Sequence, residues 1–94
     1  MSKWKTTMGD PLCMLAEENS EVIKEIMKAK RFGLEGCKEW TSKGNPPPIE
    51  NIHRELGDVF AVTDILVDLG VLDFEKIMGY RVAKKQKIEQ DFDQ

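Results

Sequence analysis

The sequence predicts an all-α protein built from three main helices. Three stretches repeat apolar residues at intervals of three and four, which is the period of an amphipathic helix. No segment alternates polar and apolar residues with the period of two that a half-buried strand requires. The chain has 94 residues, 40% of them apolar and 33% charged, which suits one folded domain rather than a disordered chain. We therefore expect a single all-α domain over residues 1–94.

The first helix is predicted over residues 11–32. Asp10 is a residue type that caps free helix amides, and Pro11 is favoured at the first helical position. Gly33 can end the helix, and basic residues just before it suit the negative end of the helix dipole. Residues 1–9 carry no helical pattern. The apolar stripe of this helix consists of Leu12, Leu15, Ala16, Val22, Ile23 and Ile26.

Residues 34–48 are predicted to form a long loop with one short helical turn around Glu39 and Trp40. The loop contains Gly36 and Gly44 and ends in three consecutive prolines, which break helices and strands. Loops of this length in small domains are often functional, although a plain connector is the alternative.

The second and third helices are predicted over residues 48–69 and 74–90, with Gly70 ending one and Asp73 capping the other. Apolar side chains are expected to remain uncovered on Phe60, Leu66 and Val67 and on the last helix, so we expect a homodimer or a tetramer. The second stripe consists of Ile52, Leu56, Val59, Val62, Leu66 and Leu69, and the third of Phe74, Ile77, Met78, Val82 and Ile88.

Composition argues against several classes of function. The net charge of −3 lacks the basic excess of a general nucleic-acid binder. No apolar run approaches the roughly 20 residues needed to cross a bilayer, and the first residues lack the apolar core of a signal peptide, so a cytoplasmic location is expected. Cys13, Cys37 and His53 lack the paired spacing of a zinc site.

Four carboxylates occupy unusual positions on the first two main helices. Glu55 and Asp58 fall on the buried arc of the second helix, three residues apart. Glu18 and Glu21 repeat this spacing on the first helix, along the edge of its apolar stripe. Burying ionised carboxylates costs several kcal/mol each unless cations offset their charge, and oxygen ligands suit Mg²⁺ or Mn²⁺. The alternative is that these acids lie at the rim and pair with lysines.

The same residues resemble a known family. The stretch Leu15-Ala-Glu-Glu-Asn-Ser-Glu-Val22, followed by Glu55-Leu-Gly-Asp58-Val59, looks like the Glu-Glu-x-x-Glu and Glu-x-x-Asp signature of MazG-like nucleoside triphosphate pyrophosphohydrolases. The resemblance covers roughly residues 10–90. It implies an all-α helical bundle that uses Mg²⁺ to hydrolyse a nucleoside triphosphate to the monophosphate and pyrophosphate. The long loop between the two signatures leaves the choice of nucleotide open.

The resemblance also implies roles for individual residues. Glu17 would be a supporting ligand or the group that orients water, and Glu17 or Glu21 would take the proton of the attacking water, which the metal activates. For base selection the candidates are Trp40, Asn19 and Trp4, and a structural role is the alternative for each, since an isolated tryptophan is usually a packing anchor. The metal ligands would be Glu18, Glu21, Glu55 and Asp58, and the phosphates would meet basic residues of the last helix, Lys76, Arg81, Lys84 and Lys85.

Three other interpretations remain open at the level of sequence. Glu50 and His53 have the Glu-x-x-His spacing of a carboxylate di-iron protein, but the chain supplies only one such pair and it falls on an outer face. A non-catalytic helical module that dimerises through its stripes would explain the helices but not the inward acids. The third interpretation keeps the enzyme and changes the substrate to another phosphoanhydride, such as an alarmone or a damaged nucleotide.

Overall fold

The computed structural model describes residues 9–92, which contain four helices and no β-strand. This confirms the all-α prediction. The short turn expected in the loop is α2, and the last helix extends two residues beyond its predicted end. The expectations for residues 1–8, including Trp4, lie outside the described residues. The helices are α1 (Pro11–Phe32), α2 (Lys38–Thr41), α3 (Pro48–Asp68) and α4 (Phe74–Phe92).

The residues that predicted the helix limits form the expected capping contacts. The Asp10 carboxylate accepts a hydrogen bond from the Leu12 amide at 2.8 Å, and the Asp73 carboxylate accepts one from the Lys76 amide at 3.1 Å. Gly33 adopts a φ of 88° and donates its amide hydrogen to the Ala29 carbonyl at 2.8 Å. Side-chain caps and a glycine with positive φ thus satisfy helix-end groups that would otherwise lack partners.

α1 and α3 form an antiparallel hairpin, which is the main packing contact among the described helices. The Ile49 amide donates a hydrogen bond to the Leu34 carbonyl at 2.9 Å, so the end of α1 lies beside the start of α3. Two helices that pack along each other and meet at these ends must run in opposite directions. The hairpin brings the first half of α1 level with the middle of α3.

The face of α1 that packs on α3 is rotated from the predicted apolar stripe. Pro11, Glu25 and Ala29 are its buried residues, whereas Ile23 and Ile26 are exposed. At 100° per residue, the buried face lies about 90° from the predicted stripe, on the side that carries Glu18 and Glu21. The acids follow the edge of the apolar stripe as predicted, but the structure packs this edge on α3 in place of the centre of the stripe, so Glu25 is buried and Glu18 half-buried.

The buried face of α3 follows its predicted arc more closely. Val62 and Leu66 are buried, and Leu66 has no exposed surface at all. The expectation that Leu66 would remain uncovered is thus wrong, while Phe60 is 68% exposed as expected. Leu56, predicted in the buried arc, is 40% exposed because it lies on the side of α3 that faces away from α1.

The loop between α1 and α3 is organised around Trp40. Its ring packs on Phe32 with centroids 4.8 Å apart, and its indole nitrogen donates a hydrogen bond to the Pro46 carbonyl at 2.7 Å. Gly36 has a φ of 87°, and a β-carbon there would approach the Trp40 ring to 2.7 Å. These contacts hold the loop against the end of α1.

α4 differs from the hairpin because none of its residues is buried. The molecule is only 13 Å deep along its shortest axis, little more than the diameter of one helix with side chains, about 10–12 Å. The helices therefore lie in a single layer. Among the described residues, no helix combines the length and apolarity that a membrane crossing needs.

Candidate metal centre

Three carboxylates converge where α1 crosses the middle of α3. Glu18 extends from α1, and Glu55 and Asp58 extend from successive turns of α3. One oxygen from each side chain lies within 4.8 Å of the other two. Glu18 and Glu55 are half-buried and Asp58 is exposed, so the group opens to solvent on one side. We refer to Glu18, Glu55 and Asp58 as the acidic triad.

The electrostatics of the acidic triad favour a cation. Burial against α3 raises the pKa of Glu18, and the negative charges of Asp58, Glu55, Glu21 and Glu17 raise the pKa further. The only ion pair that reaches the triad among the described residues joins Arg54 Nε to Glu55 at 3.7 Å, and Arg54 is itself well exposed. The triad thus carries more negative charge than its neighbours offset.

The donors of the acidic triad fit Mg²⁺ or Mn²⁺. All three ligands are carboxylate oxygens, and neither imidazole nor thiolate joins them, which matches the preference of hard cations. Mg²⁺ holds oxygens at about 2.0–2.1 Å, so two ligands of one ion lie at most about 4.2 Å apart. A small side-chain rotation would bring separations of up to 4.8 Å into this range. The open side leaves room for water and for phosphate oxygens.

Glu17 and Glu21 adjoin the acidic triad without joining it. Glu21 is half-buried, and its carboxylate accepts a hydrogen bond from Lys24 at 3.1 Å. Glu17 is exposed on the solvent side of α1. Of the four predicted metal ligands, the structure therefore brings three together and leaves Glu21 one helical turn away, where its charge still acts on Glu18.

Two buried polar residues, Glu25 on α1 and Asn51 on α3, were not predicted as buried. Glu25 is 6% exposed, and Lys28 Nζ binds one of its carboxylate oxygens at 3.2 Å, while the other oxygen has no partner among the described residues. Asn51 is 7% exposed and accepts a hydrogen bond from Arg54 at 2.9 Å. The sequence did contain a signal for Glu25. The residues at 11, 15, 18, 22, 25, 29 and 32 alternate steps of four and three, which marks one packed helix face.

The two proposed base-contacting residues do not lie at the acidic triad. Asn19 is exposed, and its amide group donates a hydrogen bond to the Leu15 carbonyl at 2.8 Å. Trp40 packs at the far end of α1, where its partner Phe32 is about 21 Å along the helix from Glu18 at 1.5 Å per residue. Trp40 thus organises the loop, and its indole nitrogen is already bonded there.

The basic residues of α4 form no ion pair with the acidic triad among the described residues. Arg81 lines a cavity between α3 and α4 of about 350 Å³, together with Phe60 and Phe74. Lys85 joins Arg81 in a second cavity along α4 itself, of about 260 Å³. All four predicted phosphate contacts are exposed and form no ion pair among the described residues; they are Lys76, Arg81, Lys84 and Lys85.

The pair that suggested a di-iron site lies on the outer surface of α3. His53 Nδ1 is 3.5 Å from Glu50 Oε1, and both side chains are more than 60% exposed. Neither residue belongs to the one group of potential metal ligands found among residues 9–92. The arrangement is that of a surface pair on consecutive helical turns.

The sequence and the fold were compared with known proteins. No protein-family model matches the chain, and neither a curated protein nor a solved structure matches it. The candidate site therefore stands on its own geometry, which is a solvent-open group of three carboxylates held by two packed helices.

Proposed function

We propose that the protein is a Mg²⁺-dependent hydrolase that converts a nucleoside triphosphate to its monophosphate and pyrophosphate. The observation that carries this proposal is the convergence of Glu18, Glu55 and Asp58 within 4.8 Å of one another. Three carboxylates in this arrangement are suited to a divalent cation, and a nucleoside triphosphate brings its own negative oxygens to such an ion. We infer the type of reaction from the resemblance of the sequence to the MazG-like signature.

The acidic triad would hold the ion and orient it towards solvent. When bound, the ion would neutralise charge on the phosphate oxygens and acidify water. Glu17 and Glu21 are the candidates to accept a proton from the attacking water, because both lie within a turn of Glu18 on α1. Manganese is an expected substitute, since it accepts the same oxygen donors.

The phosphates require cations beyond the ion itself, and the basic residues of α4 are the candidates. Since α1 and α3 pack mainly on each other and α4 meets the hairpin around the cavity beside α3, we propose that its basic residues act from a second copy of the chain in a homodimer or tetramer. The proposal further includes a cytoplasmic protein, with neither nucleic acid nor membrane as a partner. A non-catalytic dimerisation module is the competing function, favoured by the apolar side chains that α1, α3 and α4 leave exposed.

The direct test is an assay for pyrophosphate release from each common ribonucleotide and deoxyribonucleotide triphosphate with Mg²⁺. The full chain should release pyrophosphate and the corresponding monophosphate from at least one of them. Glu55→Gln and Asp58→Asn should each lower the rate by about a hundredfold or more, because each removes a charge that stabilises the ion. Glu50→Gln is the matched control, since Glu50 is an exposed carboxylate on the same helix outside the acidic triad.

Two outcomes would contradict the proposal. One is the absence of pyrophosphate release across the whole nucleotide panel with both Mg²⁺ and Mn²⁺. The other is a rate that Glu50→Gln lowers as much as Asp58→Asn does. Circular dichroism of each variant shows whether the helices remain, so a folding defect is not mistaken for a catalytic one.

A further inference from the structure

A cleft with an aromatic wall and basic side chains lies at the C-terminal end of α1. It is a cavity of about 370 Å³ between this end of the helix and the loop that follows. Phe32, in its wall, lies about 21 Å along α1 from Glu18 at 1.5 Å per residue, so the cleft is separate from the acidic triad. We call it the Trp40 cleft; its lining residues are Met27, Lys28, Arg31, Phe32 and Trp40.

The aromatic wall of the Trp40 cleft is held in place by contacts within the chain. The Trp40 and Phe32 rings pack with their centroids 4.8 Å apart. The indole nitrogen donates its hydrogen bond to the Pro46 carbonyl at 2.7 Å, so the one polar group of the indole is already satisfied. What this side chain offers to a ligand is therefore the surface of its ring, and a ring that is already fixed loses little conformational entropy on binding.

Arg31 supplies a positive charge that no other described residue neutralises. Its guanidinium lies over the Phe32 ring, 5.2 Å from the centroid, and forms no ion pair among residues 9–92. Lys28 differs, because its ammonium binds the buried Glu25 carboxylate at 3.2 Å. Among the described residues, Arg31 is thus the cation of the cleft that is available to an anion.

The surroundings of the Trp40 cleft also favour an anion. Residues 28–48 contain five lysines or arginines and two glutamates, although the whole chain has a net charge of −3. The dipole of α1 places about half a negative charge at this end of the helix, which is smaller than the local basic excess. An anion is therefore attracted to this part of an otherwise acidic chain.

We infer that the Trp40 cleft binds a free nucleoside phosphate, with the base against Trp40 and a phosphate at Arg31. Nucleobases stack on aromatic side chains, and a guanidinium binds phosphate oxygens through parallel hydrogen bonds. A volume of about 370 Å³ lies within the roughly 300–1,000 Å³ of small-ligand sites. A single-stranded nucleic acid stacks successive bases on successive aromatic side chains, whereas the two rings of this cleft pack on each other.

NMR of the indole N–H groups of the full chain tests the inference. The chain has two tryptophans, so Trp4→Phe assigns the remaining indole resonance to Trp40. ATP serves as the probe because stacking tolerates any base, and a metal chelator keeps divalent cations from the acidic triad. The Trp40 resonance should shift saturably, with a dissociation constant below about 1 mM. Inorganic tripolyphosphate, which lacks the base, and adenosine, which lacks the charge, should each bind about tenfold more weakly or worse.

Two substitutions on the same turn of α1 distinguish the Trp40 cleft from a general basic surface. Arg31→Gln should weaken ATP binding about tenfold or more, because it removes the cation that meets the phosphate. Lys30→Gln is the matched control, since Lys30 is exposed, carries the same charge and does not line the cleft. Asp58→Asn, in the acidic triad, should also leave ATP binding unchanged. The inference is independent of the proposed hydrolysis, which concerns another site and requires a divalent cation.

A titration with ATP that gives no saturable shift would overturn the inference. So would tripolyphosphate that binds as tightly as ATP, or equal losses of binding in Lys30→Gln and Arg31→Gln. Tighter binding of a single-stranded oligoribonucleotide than of ATP would overturn it in favour of a nucleic-acid ligand. Loss of ATP binding in Asp58→Asn would overturn it by placing the nucleotide at the acidic triad.

Discussion

The α1–α3 hairpin and α4 are both amphipathic helical segments, yet they use their apolar residues differently. The hairpin buries Val62, Leu66 and Ala29 between its helices, whereas α4 buries nothing. The hairpin also packs acids into its own interface, and α4 carries exposed basic residues. The comparison indicates that the hairpin is the stable unit that positions the candidate site, whereas α4 leaves most of its apolar side chains exposed.

The largest expected contrast concerns stability. Leu66→Ala should lower the free energy of unfolding by about 2–5 kcal/mol, because Leu66 is fully buried and its truncation leaves a cavity in the hairpin. Tyr80→Ala on α4 should change it by no more than about 0.5 kcal/mol, because Tyr80 is 78% exposed. Urea unfolding at one fixed protein concentration measures both. Equal losses would show that α4 contributes to the fold as much as the hairpin does.

The second contrast concerns metal binding. Mg²⁺ at one hundred times its dissociation constant should stabilise the folded chain by about 2.7 kcal/mol, because a ligand bound only by the folded state favours it. Asp58→Asn should abolish most of this gain, whereas Arg81→Gln on α4 should preserve it. Thermal unfolding with and without Mg²⁺ reports both. A melting temperature that millimolar Mg²⁺ and Mn²⁺ leave unchanged would argue against a cation at the acidic triad.

The smallest expected effect is on the pH dependence of the metal-free protein. The pKa of Glu18 is raised in the folded state, mainly by burial and further by the neighbouring carboxylates. Between the pKa of Glu18 in the unfolded chain and its pKa in the folded chain, the folded chain therefore binds more protons. Stability from this group is therefore fully present below its unfolded pKa and is lost as the pH rises through its folded pKa. Glu18→Gln should flatten that part of the stability profile, and urea unfolding from pH 4 to 7 would measure it. An unchanged profile would show that neither burial nor the neighbouring carboxylates raise the pKa of Glu18.

Added Mg²⁺ offers a control for the pH effect, since protons and the cation compete for the same carboxylates. With Mg²⁺ present, wild-type stability should rise rather than fall as the pH increases through this range. Glu50→Gln, which changes an exposed carboxylate outside the acidic triad, should keep the wild-type profile in both conditions.

The sequence by itself determined the helices and their limits. Asp10 with Pro11, Gly33, Pro48 and Asp73 act on backbone amides, carbonyls or dihedral angles within a few residues, so their effects can be identified without knowing the fold. It also indicated the carboxylates that converge, since the three-residue step from Glu55 to Asp58 places both on one side of a helix in any context.

Only the tertiary structure decided which side of each helix is covered. The most apolar side of α1, with Ile23 and Ile26, faces solvent in one chain, while Glu18 and Glu25 face α3. It also left Glu21 paired with Lys24 and outside the acidic triad. The physical reason is that α1 carries two faces that could pack, and the hydrophobicity of one helix does not determine which of them meets its neighbour. That choice depends on how the two helices cross.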